Sequence, residues 1–434
     1  MYISIKQKFV ISLTFSLLWG AFAFFVAQRW LDDLTALTNV FISYFIIIGI
    51  AIIPGIMNAF LVVSLLFDKR PKRKEYVEYP DVTILVAAYN EQDNILSTLE
   101  SIGRQQYTGK VKVFVINDGS SDSTSDKVKS VLPQYEWLEL IDMEKNVGKS
   151  NALNYALDKV TTDLVITIDG DSYLFKDALK NLVERYLGDP ENTVAVAGSV
   201  LVRNSRKNLV TKVQEWDYFH GIAAIKRLQS LYQGTLVAQG AFSLYKTNEL
   251  RSVGGWPECV GEDIVLTWAL LKQGSRVGYA EDACLFTNAP DTWSQFFKQR
   301  QRWSRGLIEA FKAHWDLLFH MKYTTLFIWW NLLFPYMDIV YTFFFIPGIV
   351  AALFGYYWVV GPMTLIVLPM AMMVNYVMFS IQNKMFKEQG LRVRNNIFGF
   401  VVYSLFYSLI LQPACVFGYF KEIFNGATKN WGTK

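Results

Sequence analysis

Apolar positions follow two different patterns along the chain. At both ends they run almost unbroken. Residues 9–27 are apolar over roughly the length that spans a bilayer. Residues 40–67 form a longer second run containing Pro54-Gly55, which a spanning helix tolerates where its neighbours satisfy the freed backbone. Past about residue 322 come three more runs: 327–354, with Pro335 and Pro347 inside it, then 357–381 and 397–420. Between about 68 and 322 the pattern breaks into short pieces. The β-branched runs 82–88, 111–116, 137–141 and 164–168 predict buried strands. Stretches at 93–105, up to Val131, and at 150–157 predict helices between them. Strands alternating with helices imply a mostly parallel sheet. The expected architecture is an α/β domain inserted between transmembrane helices.

Charge orients these runs. Lys69-Arg70-Pro71-Lys72-Arg73-Lys74 follows the second run, whereas Arg29 is set against Asp32 and Asp33 between the first two. The positive-inside rule then places the amino terminus and the region after 70 in the cytoplasm, at the inner (plasma) membrane. Lys6 and Lys8 give the basic start of a signal peptide, but the run is long and Ala27-Gln28-Arg29 is a poor cleavage site. A basic stretch this close to a span reads as a topological signal, so nucleic acid is not an expected partner. Two spans before the domain and three after it would leave the carboxyl terminus outside. Lys421, Lys429 and Lys434 follow the last run and oppose that count; the alternative is that one apolar segment is re-entrant or interfacial. Asp338 is ionisable inside a predicted span, so it is expected to face the protein interior or a water-filled path.

Composition adds little. Across 434 residues, 52% are hydrophobic, 18% are charged and the net charge is +4, an average that hides the two populations. Cys259, Cys284 and Cys415 are too far apart for a metal-ligand spacing or a disulfide framework.

Three predicted strands end in polar or acidic clusters: Asn90/Glu91, Asp118, and Asp169/Asp171. One cluster is ordinary turn chemistry. Three at one sheet edge point to a ligand, because open α/β sheets bind at the carboxyl ends of their strands. Paired carboxylates there suit a hard divalent cation with phosphate oxygens. Neither G-x-x-x-x-G-K-[ST] nor a post-strand G-x-G-x-x-G is present, which disfavours a P-loop ATPase and a dinucleotide dehydrogenase. Further on, Gly261-Glu262-Asp263 opens a helical stretch at 264–271, a place where acids also suit the helix macrodipole. A helical segment at about 292–318 carries Gln299-Arg300-Gln301-Arg302-Trp303-Ser304-Arg305-Gly306. Arg302 is three residues from both Gln299 and Arg305, on neighbouring helix positions. Arginines suit a diphosphate, and an indole suits the apolar face of a sugar. The same helix also suits a membrane surface.

Ala88-Tyr89-Asn90-Glu91, Asn117-Asp118-Gly119-Ser120, Gly148-Lys149 with Ala152-Leu153-Asn154, and Asp169-Gly170-Asp171 together resemble family 2 glycosyltransferases of the GT-A fold. Glu262-Asp263 followed by Gln299-x-x-Arg302-Trp303 resembles that family's membrane-embedded processive synthases of cellulose, chitin, hyaluronan and poly-N-acetylglucosamine. The stretch 214–229 looks most like the last of these, although Val237-Ala238-Gln239-Gly240 departs from the Ser-Gly usual there. The resemblance implies a UDP-sugar donor, Mg²⁺ or Mn²⁺, a growing polysaccharide acceptor, the lipid bilayer and a small membrane partner subunit. It implies that Asn90, Glu91, Asp118 and Lys149 bind the donor, with Asp118 at the nucleoside. Asp169 and Asp171 would face the diphosphate and metal, Asp263 would be the general base, and Gln299, Arg300, Arg302 and Trp303 would flank the acceptor end and the pyrophosphate. The expected division is 1–75 for two transmembrane helices and a basic linker, and 76–290 for the GT-A domain. Residues 291–322 would form interface helices and 323–434 a region of about three spans. Two other readings are a non-processive polyprenyl-phosphate glycosyltransferase, which gives no reason for Q-x-x-R-W, and a non-catalytic subunit, which the intact acidic set opposes.

Overall fold

The computed structural model describes residues 3–69 and 74–424, so the basic residues 70–73, together with Lys429 and Lys434, lie outside the described residues. Helix α1 (Ile5–Val26) starts at Ser4, whose side chain accepts from Gln7 N. Helix α2 (Val40–Leu66) starts at Asn39, which caps Ile42 N in the same way. A π-helical turn at Ile48–Ile52 lies just before Pro54, where the proline cannot donate and the widened turn absorbs the break. The two helices pack through Phe9 and Phe60, edge to face at 5.7 Å.

The domain between the membrane helices is built on an eight-stranded sheet in the order β3-β2-β1-β4-β7-β6-β8-β5. Its strands are β1 (Val82–Ala88), β2 (Val111–Asn117), β3 (Leu138–Asp142), β4 (Leu164–Asp169), β5 (Tyr173–Leu174), β6 (Thr193–Val202), β7 (Phe242–Lys246) and β8 (Arg276–Thr287). Alternation along β1 sorts its side chains onto two faces. Ile84 and Val86 enter one core with Val113 and Ile166. Leu85 enters another that continues through Trp268 to Phe60 and Phe327 of the membrane helices. The sheet therefore shares a core with the apolar helices on one side only.

The four strands β3, β2, β1 and β4 are parallel, as the sequence pattern predicts. Beyond them β6 and β8 also pair in parallel, while β7 runs antiparallel between β4 and β6 and β5 antiparallel to β8, so the sheet is mostly parallel with two reversed strands. After β6 the chain passes through α4 (Leu209–Trp216) and α5 (Ala223–Leu231), beyond which Thr235 N donates to Val277 O at the start of β8 at 2.8 Å; α3 (Lys149–Leu157) opens earlier, at the carboxyl edge. The chain then enters β7 from that edge, pairing Phe242 with Ile168. That detour delivers the 237–240 loop to the ends of the parallel strands.

Helix α6 (Glu262–Lys272) precedes β8, and α7 (Trp293–His314) follows it, ending in a 3-10 turn at Trp315–Phe319. Then come α8 (Tyr323–Leu353), α9 (Pro362–Glu388) and α10 (Ile397–Phe424). Among the described residues α1, α2, α8 and α10 are long and apolar enough to cross a membrane. Asp338 in α8 is buried and accepts a hydrogen bond from Tyr419 Oη of α10 at 2.9 Å.

Candidate active site

Register puts the ends of β2, β1 and β4 side by side: Ala88 pairs with Asn117, and Ala87 with Asp169. The polar clusters after these strands therefore meet. Asn90 holds a left-handed conformation (φ 54°), which asparagine tolerates. Its N–H donates to Ser120 Oγ at 2.9 Å, its Oδ1 accepts from Ser121 N at 2.9 Å, and Glu91 N donates to Thr124 Oγ1 at 2.8 Å. Asn90 and Glu91 thus lock the turn after β1 onto the loop after β2.

Asp118 is only 4% exposed and accepts from Val147 N at 2.8 Å and Gly148 N at 3.0 Å. Burial raises its pKa even so. Its carboxylate is committed to shaping the loop that opens α3, a partner the expected nucleoside contact did not include. That loop presents Lys149, whose ammonium lies 2.5 Å from Asp169 Oδ1 and 3.8 Å from Glu262 Oε1. Burial opposes the charge, yet Asp169, Glu262 and Asp263 together hold Lys149 above its ordinary range. Asp171, past the turn, accepts from Thr287 Oγ1 at 3.2 Å.

The acids of α6 diverge. Glu262 is buried toward Lys149, and burial pushes its pKa up to about 7 against the pull of Lys149 and Arg302. Asp263 is half-buried, with Oδ1 accepting from Ile264 N at 2.8 Å. Beside them, Gly240 admits the lysine: a β-carbon there would stand 2.9 Å from Lys149 Nζ. Lys226 of α5 donates to Val237 O at 2.6 Å and is charge-coupled to Asp263, while burial pulls it down to about 7. Gly240 lies in the departing Val237–Gly240 stretch and Lys226 in the 214–229 stretch, but the sequence assigned neither residue a role.

Helix α7 reaches this group because two glycines touch. A β-carbon on Gly306 would lie 2.7 Å from Gly261 Cα, and Glu309 accepts from Gly261 N at 2.8 Å. Arg302 is near enough to favour the Glu262 anion. Gln299 lies beside Tyr218, and its Oε1 is buried with no hydrogen-bond partner among the described residues. Trp303 is 40% exposed. Arg300 differs from its neighbours: it is 4% exposed and pairs with Asp217 at 2.8 Å, its guanidinium 4.1 Å from the Trp303 ring centre. The sequence placed it at the acceptor end; the structure engages it in a buried ion pair behind the indole.

Asp169 and Asp171 are an oxygen-only pair, and among the described residues no group of three or more His, Cys, Asp or Glu forms a closed metal cage. Two carboxylates fit Mg²⁺ or Mn²⁺, which take the rest of their shell from phosphate and water.

A GT-A-like sheet with acids and a lysine at its strand ends defines a glycosyltransferase. The chain belongs to the family described as "Glycosyltransferase like family 2", which matches residues 80–306. It is 33% identical over 230 residues to the poly-beta-1,6-N-acetyl-D-glucosamine synthase of Staphylococcus aureus, covering 53% of this chain and 55% of that protein. The synthase of the same name from Staphylococcus epidermidis is 31% identical over 235 residues, covering 54% of this chain and 56% of that protein. The match thus spans about half the length of these curated relatives. The fold is shared with a mannosyltransferase from Pyrobaculum calidifontis, solved with GDP-Man and Mn²⁺, at a TM-score of 0.61 and 19% identity over 86% of this chain and 96% of that one.

Proposed function

We propose that the chain is a processive, inverting synthase that polymerises N-acetylglucosamine from UDP-N-acetylglucosamine and passes the polymer across its membrane. The observation that carries this is the joining of Glu262-Asp263 to Gln299–Trp303 through Gly261 and Gly306, directly beside the donor edge. A transferase to a lipid phosphate gives no reason for that second motif. The names of the Staphylococcus relatives support the sugar.

Asp263 accepts the proton of the attacking acceptor hydroxyl, as a half-buried carboxylate at the start of α6. Lys149 and Arg302 place positive charge beside the donor diphosphate. Trp303 offers its exposed indole to the last sugar of the acceptor, and Arg300 and Tyr218 hold that ring from behind. Gln299 supplies a buried acceptor atom for a sugar hydroxyl. Asp169 and Asp171 would hold Mg²⁺ or Mn²⁺, which when bound neutralises charge on the leaving diphosphate. The catalytic domain faces the cytoplasm, where nucleotide sugars are made. Incubating membranes with a panel of UDP-sugars, then digesting the product with linkage-specific hydrolases, tests the reading. Polymer from UDP-N-acetylglucosamine that a β-N-acetylglucosamine-specific hydrolase degrades is expected; single-sugar transfer to lipid overturns it.

A further inference from the structure

Helix α10 has the length and apolarity of a span, since 28 residues extend about 42 Å against a hydrocarbon core of about 30 Å. Its two ends should then lie on opposite sides of the bilayer. They do not. At its start, Asn396 O accepts from Trp216 Nε1 at 3.0 Å. The Asn396 amide donates to Lys212 O at 2.9 Å and Glu215 Oε2 at 2.6 Å. All three partners belong to α4 of the catalytic domain. At its end, Glu422 is 2% exposed and accepts from Arg305 Nε at 3.2 Å and Lys312 Nζ at 2.8 Å, both on α7.

Helix α7 itself lies on the domain throughout. Arg300 pairs with Asp217 near its start, Gly306 touches Gly261 midway, and Phe311 meets Trp268 edge to face at 4.9 Å near its end. Four residues past Lys312, Asp316 pairs with Lys272 of α6 at 3.0 Å. Between its ends α10 follows α7, with Tyr407 against Phe296 at 5.4 Å and Gly418 packed on Ser304.

The other apolar helices behave as spans. Helix α8 leaves the domain, where a β-carbon on Gly234 would touch Thr324 at 3.1 Å. Its far loop meets the short helix Gln28–Leu37 that follows α1, where Trp30 Nε1 donates to Trp358 O at 3.0 Å. Helix α9 returns to the domain, where Gln382 Nε2 donates to Phe219 O at 3.0 Å and Asn181 Nδ2 to Gln389 Oε1 at 3.3 Å.

The geometry points to α10 as an in-plane helix that never crosses the bilayer, fastened at its end by Glu422 to the helix that carries Gln299–Trp303. Spans α1, α2, α8 and α9 then form two hairpins, and the end of α10, with Lys421, stays on the side of the catalytic domain. This removes the conflict with the positive-inside rule that a third span after the domain creates. Glu422 is a positioning residue: it touches no substrate but fixes α7 through Arg305 and Lys312.

The topological half is independent of the proposed function. Full-length protein carrying a protease-cleavable epitope after Lys434, and a second protein with the same cleavage site inserted at 70–73, are tested in inside-out and right-side-out vesicles. Cleavage of both in the same vesicle type is expected; cleavage in opposite types overturns the topology. The positioning half rests on the synthase reading, which fails separately if wild-type protein makes no polymer. Glu422→Gln is expected to cut polymer yield about 10-fold or more, because small misplacements of an acceptor are costly. UDP release to water should fall far less, and Glu422→Asp should recover polymer. Equal loss of both activities, or no loss, overturns the positioning role.

Discussion

Gly306 of α7 rests on Gly261 at the start of α6, so closely that a β-carbon on Gly306 would stand 2.7 Å from Gly261 Cα. This contact brings the acceptor-side motif up to the acids of α6, beside Glu309, which accepts from Gly261 N at 2.8 Å. Because the neighbour is backbone, no side-chain rotation relieves a clash there. Gly306→Ala is expected to cost about 1–3 kcal/mol of stability through overpacking. It should also cost on the order of 10²-fold in polymer synthesis as α7 shifts by a fraction of an ångström or more. UDP binding should be retained, since β1, β2 and β4 build the donor edge. Calorimetry with UDP beside polymer yield on the same preparation checks the split.

Activity should also stop in excess chelator and return with Mg²⁺ or Mn²⁺. Asp171→Asn should lose most turnover while remaining folded in membranes, because its partner Thr287 can still hydrogen-bond the amide oxygen. Full activity of that variant in chelator would remove the metal from the reading.

The gathering of polar and acidic residues at the strand ends was legible in the sequence because it is local. A β-branched run followed by polar residues fixes both a strand and its end, and parallel register aligns Ala88, Asn117 and Asp169. What was not legible is tertiary. Arg300 pairs with Asp217, 83 residues away on a π-helical turn that no periodicity announces. Nothing in Gly261 or Gly306 alone says that they touch. The polar anchors at the two ends of α10 are tertiary as well, and hydropathy, which measures apolarity alone, does not register them. The two reversed strands escaped because β7 turns back only after a long excursion and β5 is just two residues long.

Lys226 makes stability depend on pH in a specific direction. Burial lowers its folded pKa to about 7 from 10.5 unfolded, with Asp263 pulling the other way. Between those values the unfolded chain binds more protons, so this group's contribution to stability rises with pH from about 7 to 10.5. Lys226→Met removes the titration. The apparent Tm of wild type relative to that variant should therefore climb between pH 7 and pH 10, measured by thermal unfolding in detergent. A constant difference across that range would mean that Lys226 stays charged when buried.

Asp263 separates chemistry from binding. A sugar hydroxyl is a poor nucleophile at neutral pH, and attack on the anomeric carbon is helped by a base that takes its proton as the bond forms. Among the acids gathered here, Asp169 is engaged by Lys149 and Asp171 by Thr287, and both face the diphosphate in the proposed reaction. Glu262 is buried against Lys149 and is pushed up to about 7. Asp263 is half-buried, beside the Gly261–Gly306 contact that brings up the acceptor-side motif, and is turned from Glu262 by its place on the helix. Asp263→Asn keeps the size and the hydrogen bond from Ile264 N but loses basicity. It is expected to bind UDP-sugar with near-normal affinity and to lose polymer synthesis by on the order of 10²–10⁴-fold. Trp303→Ala should behave differently, keeping both donor binding and the base while holding the acceptor poorly, so that products shorten. Calorimetry and product-length analysis on both purified variants distinguish these losses. Polymer made by Asp263→Asn at a near wild-type rate would place the base elsewhere.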